Sequence, residues 1–559
     1  MWFDEVGEIA EVFRTSLPLS FLFFVPIIIL ISPVSPVGAA HDFSVYRMQQ
    51  YDLQQTKYGC KNAIVNVEAR PINANTYTRR CIVAQLHEMT NEKFKNMQEQ
   101  NAGGLLVLLP SNMSRLSDKE KEHLLELEQD MMQEETVLPV YFTTETEELM
   151  EIYNDIKLAT NSDQAASATE ALLGAAWANG FQLVVNGPQS KSLPDYEIAN
   201  IQGKLSGFGI EEQLPTIAIV AHYDSYGVAP SLAFGADSNG SGVVALLELA
   251  RLFSKLYMNS RTHAKFNLLF LLSGAGKFNY QGTRKWIEDS LDASESSLLQ
   301  DVQFVLCLDT LGSSNNLNLH VSKPPKEGSA AASFVKHLEE VKASFSPEVN
   351  FNVVHKKINL ADDLLAWEHE RFSIRRIQAF TLSHLDSHKH LERNSVIDTR
   401  ERVDNQKLAR NVKVLVEALA RHVFDVQNQG NLEIFNGALD VQEESIGSWM
   451  DYLGTQSRAA QVLTKDHVIV AALEQALSRH LKDVKKVLST ADKRDPDFVF
   501  YSGAEFTMSA YNVKPAVFDL FLALAIAGYL GCLFLAGQHY STVLMYVRKY
   551  TTPRKAKVQ

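Results

Sequence analysis

His222 and Asp237 are residue types that bind a metal, a neutral imidazole and a carboxylate. They lie in the stretch AHYDSYGVAPSLAFGADSNGSG, Ala221 to Gly242, which follows the apolar run TIAIVAHYD and leads into VVALLELARLF. A strand, a polar loop with His and Asp, then a helix opening at Gly-Ser-Gly is how an α/β enzyme presents ligands at the carboxyl end of its sheet. Such a pair serves metal-assisted hydrolysis when further ligands and a general base accompany it.

The elements around that stretch alternate. Strand-like runs are TIAIVAH (216–222), FNLLFLLS (266–273), FVLCLD (304–309), LNLHVS (317–322) and IQAFTLS (377–383). Helical runs fall between them at 243–256, 282–292, 330–344 and 405–424. This pattern predicts an α/β core over 191–430, a mixed, mainly parallel sheet with helices on both faces. Residues 41–190 read as an N-terminal α/β region, with an Ala-rich helix over 162–181. Residues 431–513 read as a helical, polar, membrane-proximal region.

The chain has 559 residues and a net charge of −13, which argues against nucleic acid as a direct partner. Four cysteines occur, none in a CxxC or Cys/His cluster, so a structural zinc module is not expected. Cys60 and Cys81 are close enough in sequence to pair in an extracytoplasmic protein; two free thiols are an equal alternative. Residues 1–40 carry the uncharged run LPLSFLFFVPIIILISPVSPV followed by Gly38-Ala39-Ala40, a cleaved signal peptide or a retained N-terminal anchor. Residues 514–540 contain an uncharged run from Leu520 to Gly537, which predicts a transmembrane helix. The basic tail 541–559 then lies in the cytosol and the large region in the lumen, a single-pass type I arrangement. Asp519, near the lumenal end of the span, is a candidate intramembrane contact, or a carboxylate at the interface in reach of water. Asn112-Met113-Ser114 and Asn239-Gly240-Ser241 are glycosylation sequons.

The order AHYD, GADSNGSG, strand, Gly282-Thr283 helix start and LCLDTLG resembles the zinc aminopeptidases of the M28 type, a fold shared with the transferrin receptor. In that family two zinc ions are held by a His, a bridging Asp, a Glu, an Asp and a late His, and a second Glu takes a proton from the water between them. The resemblance carries these roles to His222, Asp237 and Asp309, with Asp224 orienting His222. The family's Glu-Glu pair, which precedes a helix-opening Gly-Ser, falls here on Gly276-Lys277. The late His falls on Asn394, in NSVID398T, with His384, His388 and His390 just upstream in SHLDSHKH. A glycine has no group to take a proton and an ammonium repels a dication. The histidine run is read as an inserted, exposed loop, although one of its members is a possible substitute ligand. No metal and no cofactor are therefore expected; His222, Asp237, Lys277, Asp309 and Asn394 are vestigial positions. Lys277 is expected to lie between Asp237 and Asp309, its charge in place of the metal's. A glycan on Asn239 would obstruct the pocket mouth, unless the loop is too tight to be glycosylated.

SGAGKFNYQGTRKW, INLADDLLAWEHERF and ADKRDPDFVFY narrow the resemblance to the noncatalytic nicastrin family. That resemblance implies a pseudopeptidase and a single-span endoplasmic reticulum glycoprotein. It implies partners in the membrane: the nodal modulator protein, a small multispanning transmembrane protein, and indirectly the translocon and ribosome in multispanning membrane protein biogenesis. Effects on Nodal signalling and on receptor assembly are further implications. The alternative is an active or receptor-type lumenal zinc aminopeptidase.

Overall fold

Alternation in Thr216–His222 sends Ile217, Ile219 and Ala221 to one face and Ala218 and Val220 to the other, and both sets are buried. Such a strand belongs inside a sheet covered on both sides. In the computed structural model it is a central strand of eight. The structure describes residues 40–161, 180–210, 213–292, 299, 301–362, 364–426, 432–492, 494–513 and scattered residues between 523 and 545.

From edge to edge the strands are Asn350–His355, Asn316–Val321, Ala379–Ser383, Val302–Leu308, Thr216–His222, Asn267–Ser273, Glu197–Leu205 and Lys482–Thr490. The four from 379–383 to 267–273 run parallel, and their neighbours 316–321 and 197–205 join antiparallel. One face is covered by the helices Gly242–Met258, Ala330–Phe345, Asn405–Val423, Glu443–Gly454 and Val468–Ser478. The other carries Gln281–Asp292 and His369–Ile374, with Trp286, Ile287 and Phe372 packed on Val220, Leu271 and Cys307. The mixed α/β sheet with helices on both faces is thus present.

The N-terminal lobe is a closed seven-stranded barrel in the order 40–47, 505–513, 180–186, 66–71, 81–85, 104–109, 140–144. The helix Asp118–Met131 starts at a capping box, with Ser117 and Glu120 each satisfying a backbone N–H of the other. Its Leu124, Leu127 and Met131 bury against the barrel strands. Cys60 and Cys81 are free and buried, so the disulfide alternative does not hold.

Two expectations change. Residues 431–513 are not a helical region. After the helices 443–454 and 468–478 come three strands, Lys482–Thr490 at the edge of the eight-stranded sheet, Phe498–Tyr501 in a smaller five-stranded sheet, and Glu505–Val513 in the barrel. Their pairing partners lie far back in the chain, which no local pattern reveals. The Ala-rich run expected to be helical to 181 ends in a strand, Gly180–Asn186; its residues 162–179 lie outside the described residues. The signal or anchor segment, the basic tail from 546, and Asp519 with most of 514–540 also lie outside them. Among the described residues no helix is long and apolar enough to cross a membrane.

Candidate functional site

The parallel strands bring four sequence-distant residues to one edge. His222 ends its strand, and Asp309, His384 and the turn Gly274–Lys277 follow directly after the strands 302–308, 379–383 and 267–273. Asp237 sits just before the helix 242–258, beside the same edge. The predicted positions do converge, but their partners differ from expectation.

Asp309 is held by Arg393. The guanidinium Nη2 donates to Asp309 Oδ2 and, at 2.8 Å, to the Tyr280 hydroxyl, and the group stacks 4.5 Å from the Trp367 ring centre. Trp367 in turn stacks on His320 at 4.2 Å. Burial alone would raise the Asp309 carboxyl; Arg393, then His222 and Lys277, hold it well below the usual carboxylate range. Asn394, the position matched to the late His, faces solvent, while its neighbour Arg393 turns inward.

Asp237 is held by His384. Its Oδ2 accepts from His384 Nε2 at 3.1 Å, and its Oδ1 accepts from Ser241 Oγ and Gly312 N–H, both at 2.7 Å. His384 is therefore not part of an exposed loop: the first histidine of SHLDSHKH is packed inside, and later ones, such as His390, reach solvent. Burial lowers the imidazole and the Asp237 bond raises it, with a net rise. Ser313 Oγ meets the same Nε2 at 2.8 Å. A relay from serine through imidazole to carboxylate uses two different ring nitrogens, so these three do not form a hydrolytic triad.

Lys277 does not bridge Asp237 and Asp309. Its Nζ donates to Ser238 Oγ at 2.6 Å and to the Arg393 carbonyl at 2.8 Å. Burial, then repulsion from Arg393, pulls its ammonium down to about 8, against the opposing pull of Asp309, Asp224 and Asp398. The cation on Asp309 is the arginine because its planar fork reaches a carboxylate and a hydroxyl together.

Asp224 does not orient His222 here; it accepts the N–H groups of Gly276 and Lys277 at 2.6 and 3.0 Å. His222 is fully buried, with Nδ1 3.6 Å from Glu368 Oε2 and Nε2 without a partner. Glu368 Oε1 accepts from Ser273 and Thr283 at 2.7 and 2.5 Å. A Cβ built on Gly276 would come within 3.0 Å of Cβ, Cγ and Cδ2 of His222. The general-base position therefore has no room for a side chain of any size.

Asn239 is fully buried. Its amide nitrogen donates to the carbonyls of Leu308 and His222 at 2.8 and 3.0 Å, and its oxygen accepts from Thr310 N–H at 3.1 Å. The glycan expected at the pocket mouth is not accommodated. The Asn112 side chain is exposed, with its oxygen capping the turn at Ser114.

Sequence reasoning missed three further residues. Glu368 and Arg393 lie in irregular segments, where no periodicity says which side chain turns inward. Glu128 comes from the barrel lobe. Its buried carboxylate accepts from the Ser395 hydroxyl, from Val396 N–H at 3.1 Å and from Val228 N–H at 3.3 Å. Gln49 also crosses, donating to Gly227 O at 2.8 Å. The barrel lobe thus grips both loops that frame the site.

A binuclear zinc centre does not fit this donor set. Each candidate carboxylate already has a cationic or imidazole partner, and an ammonium and a glycine stand where a ligand and a base are needed. Among the described residues no group of three or more His, Cys, Asp or Glu is arranged to hold a metal ion.

Residues 200–418 match the model of peptidase family M28. Over 99% of this chain and 99% of the relative, the protein is 52% identical to BOS complex subunit ncln of Danio rerio. It is 30% identical to nicalin of Caenorhabditis elegans over 95% of this chain and 96% of that protein. Among solved structures it is similar to nicastrin, a component of gamma-secretase, with a TM-score of 0.60 at 12% identity, covering 85% of this chain and all of that one. At that identity the likeness is one of fold.

Proposed function

The chain belongs to the nicalin family, that of the BOS complex subunit NCLN, and on that premise we propose that it is a noncatalytic scaffold subunit of an endoplasmic reticulum membrane complex. In this reading the peptidase-like region and its barrel lobe form a rigid lumenal body. Residues 514–540 cross the bilayer once and the basic tail 541–559 is cytosolic. The partners are the nodal modulator protein and a small multispanning transmembrane protein, acting beside ribosome-bound translocons on multispanning membrane proteins. Effects on Nodal signalling and receptor assembly follow from altered membrane protein assembly.

The observation that carries the noncatalytic part is the pairing of Asp309 with Arg393, next to a Gly276 packed against His222. Support for the complex comes from relatives described as BOS complex subunits that align over nearly the whole chain. An active zinc aminopeptidase, or a receptor that grips free amino termini, would need a free carboxylate at Asp237 or Asp309. Both are already engaged.

The test is affinity capture of the tagged full chain from membranes in mild detergent, with mass spectrometry of what comes with it and zinc measured on the same sample. Stoichiometric membrane partners with well under one equivalent of zinc are expected. A chain recovered alone, or one carrying zinc and releasing amino-terminal residues from peptides, would overturn the reading.

A further inference from the structure

The helices 242–258, 443–454 and 468–478 enclose a second pocket, away from the vestigial site. Its volume is about 130 Å³. One wall is apolar, with Leu247, Ile446 and the half-buried Trp449; the other presents Arg251, Arg479 and His480. The only acid in the lining, Glu248, is consumed. Its carboxylate takes Arg251 Nε and Nη2 at 2.7 and 2.6 Å and the N–H of Gln442 at 3.0 Å.

After that cancellation positive charge remains. Arg251 Nη1 is buried and meets no acceptor. The imidazole of His480 is held below its usual value by burial, then by Arg251 and Arg479, against the opposing pull of Glu248. The helix end that Arg479 and His480 extend offsets only about half a charge. A small, half-enclosed pocket with an aromatic wall, the exposed Arg479 guanidinium at its mouth and a spare Arg251 N–H inside has the chemistry of an organic-anion site.

We propose that this pocket binds a small carboxylate anion with a flat apolar body, the carboxylate facing Arg479 and His480 and the body lying along Trp449. The site does not depend on the reading of the vestigial centre.

The experiment titrates the purified full-length chain in detergent with benzoate, following Trp fluorescence, with Trp449→Phe as the blank. Inorganic phosphate is titrated in parallel. A saturable change absent from Trp449→Phe is expected. Arg479→Ala weakens it by about tenfold, the loss of one charge-assisted bond, and His480→Ala by about threefold, the loss of a neutral imidazole hydrogen bond. Both positions lie at a helix end, and unchanged melting of the unliganded variants confirms that they fold. Phosphate, without an apolar body, binds more weakly. No saturable Trp449 signal, or one that survives both substitutions, overturns the site; phosphate binding as tightly as benzoate overturns the assigned ligand class.

Discussion

Gly276 packs its α-carbon against the His222 side chain so closely that an added methyl group would overlap three of its atoms. A larger side chain at 276 would therefore have to displace His222. Installing a Glu pair as Gly276→Glu with Lys277→Glu is expected to produce no aminopeptidase activity. Gly276→Ala alone should destabilise the fold by about 1–3 kcal/mol through overpacking, measured by denaturant unfolding. A double variant that folds normally, binds zinc and cleaves peptides would refute this.

Arg393 and Asp309 are both buried, so removing one leaves the other uncompensated. Arg393→Met is expected to cost about 3–5 kcal/mol. Adding Asp309→Leu to it should recover much of that loss, since apolar pairs replace buried ion pairs well. The double-mutant cycle checks it: additive losses would mean that the two residues do not act as a pair.

The His384–Asp237 pair makes stability depend on pH on the alkaline side of 6.5 and on the acid side of 3.8. His384 is raised in the fold, so its contribution is fully present below its unfolded value of 6.5 and is lost as pH rises through the folded value. Asp237 is depressed, so its contribution is present above its unfolded value of 3.8 and is lost on acidification through the folded one. Melting temperatures of the wild type should fall on the alkaline side of 6.5, and His384→Gln should flatten that limb. An unchanged slope in the variant would remove the pair from the account.

Glu128 predicts a loss of the same sign in a lower pH window. Burial pushes its carboxyl up to about 7, offset in part by Ser395, Val396 and Val228. An acid raised in the fold favours folding below its unfolded value of 4.5, and that gain is lost as pH rises to about 7. Glu128→Gln should remove this loss: its oxygen can keep both backbone N–H groups and its NH2 can donate to the Ser395 hydroxyl. Melting of the variant should be flatter between pH 5 and 7 than that of the wild type, with Asp398, raised to about 6, supplying the residual slope.

Of the two sequons only Asn112 is open to an oligosaccharide. Endoglycosidase treatment should shift the mobility of the wild type, and Asn112→Gln should abolish that shift. Asn239→Gln should retain the shift and lower the melting temperature, because three hydrogen bonds are lost from a buried amide.

The strands 216–222, 267–273 and 302–308 were legible because they are apolar on both faces, whereas the edge strand Asn350–His355 is polar and largely exposed and gave no such signal. The convergence of His222, Asp237 and Asp309 followed from the places of His222 and Asp309 at strand ends and of Asp237 before the helix 242–258. The identity of the filling cation did not follow. Arg393 and Asn394 are adjacent in a short irregular turn, and only packing against Trp367 and Tyr280 decides which one faces inward. His384 was misjudged for a related reason: SHLDSHKH is polar but for Leu385, yet its first histidine, directly after the strand 379–383, is packed against Asp237. The barrel was illegible because its closing strand pairs with residues made far earlier.

That strand also sets a timetable. Glu505–Val513 lies between 40–47 and 180–186, and Ser509 donates to Asp42 across 467 positions of chain. Until the last of these residues leaves the ribosome, the barrel has a gap one strand wide, flanked by two unpaired edges. The lobe that grips the site loops through Glu128 and Gln49 is therefore finished only after every strand of the eight-stranded sheet has been made. Until then the nascent chain exposes the edges of 40–47 and 180–186, which other strands can pair with.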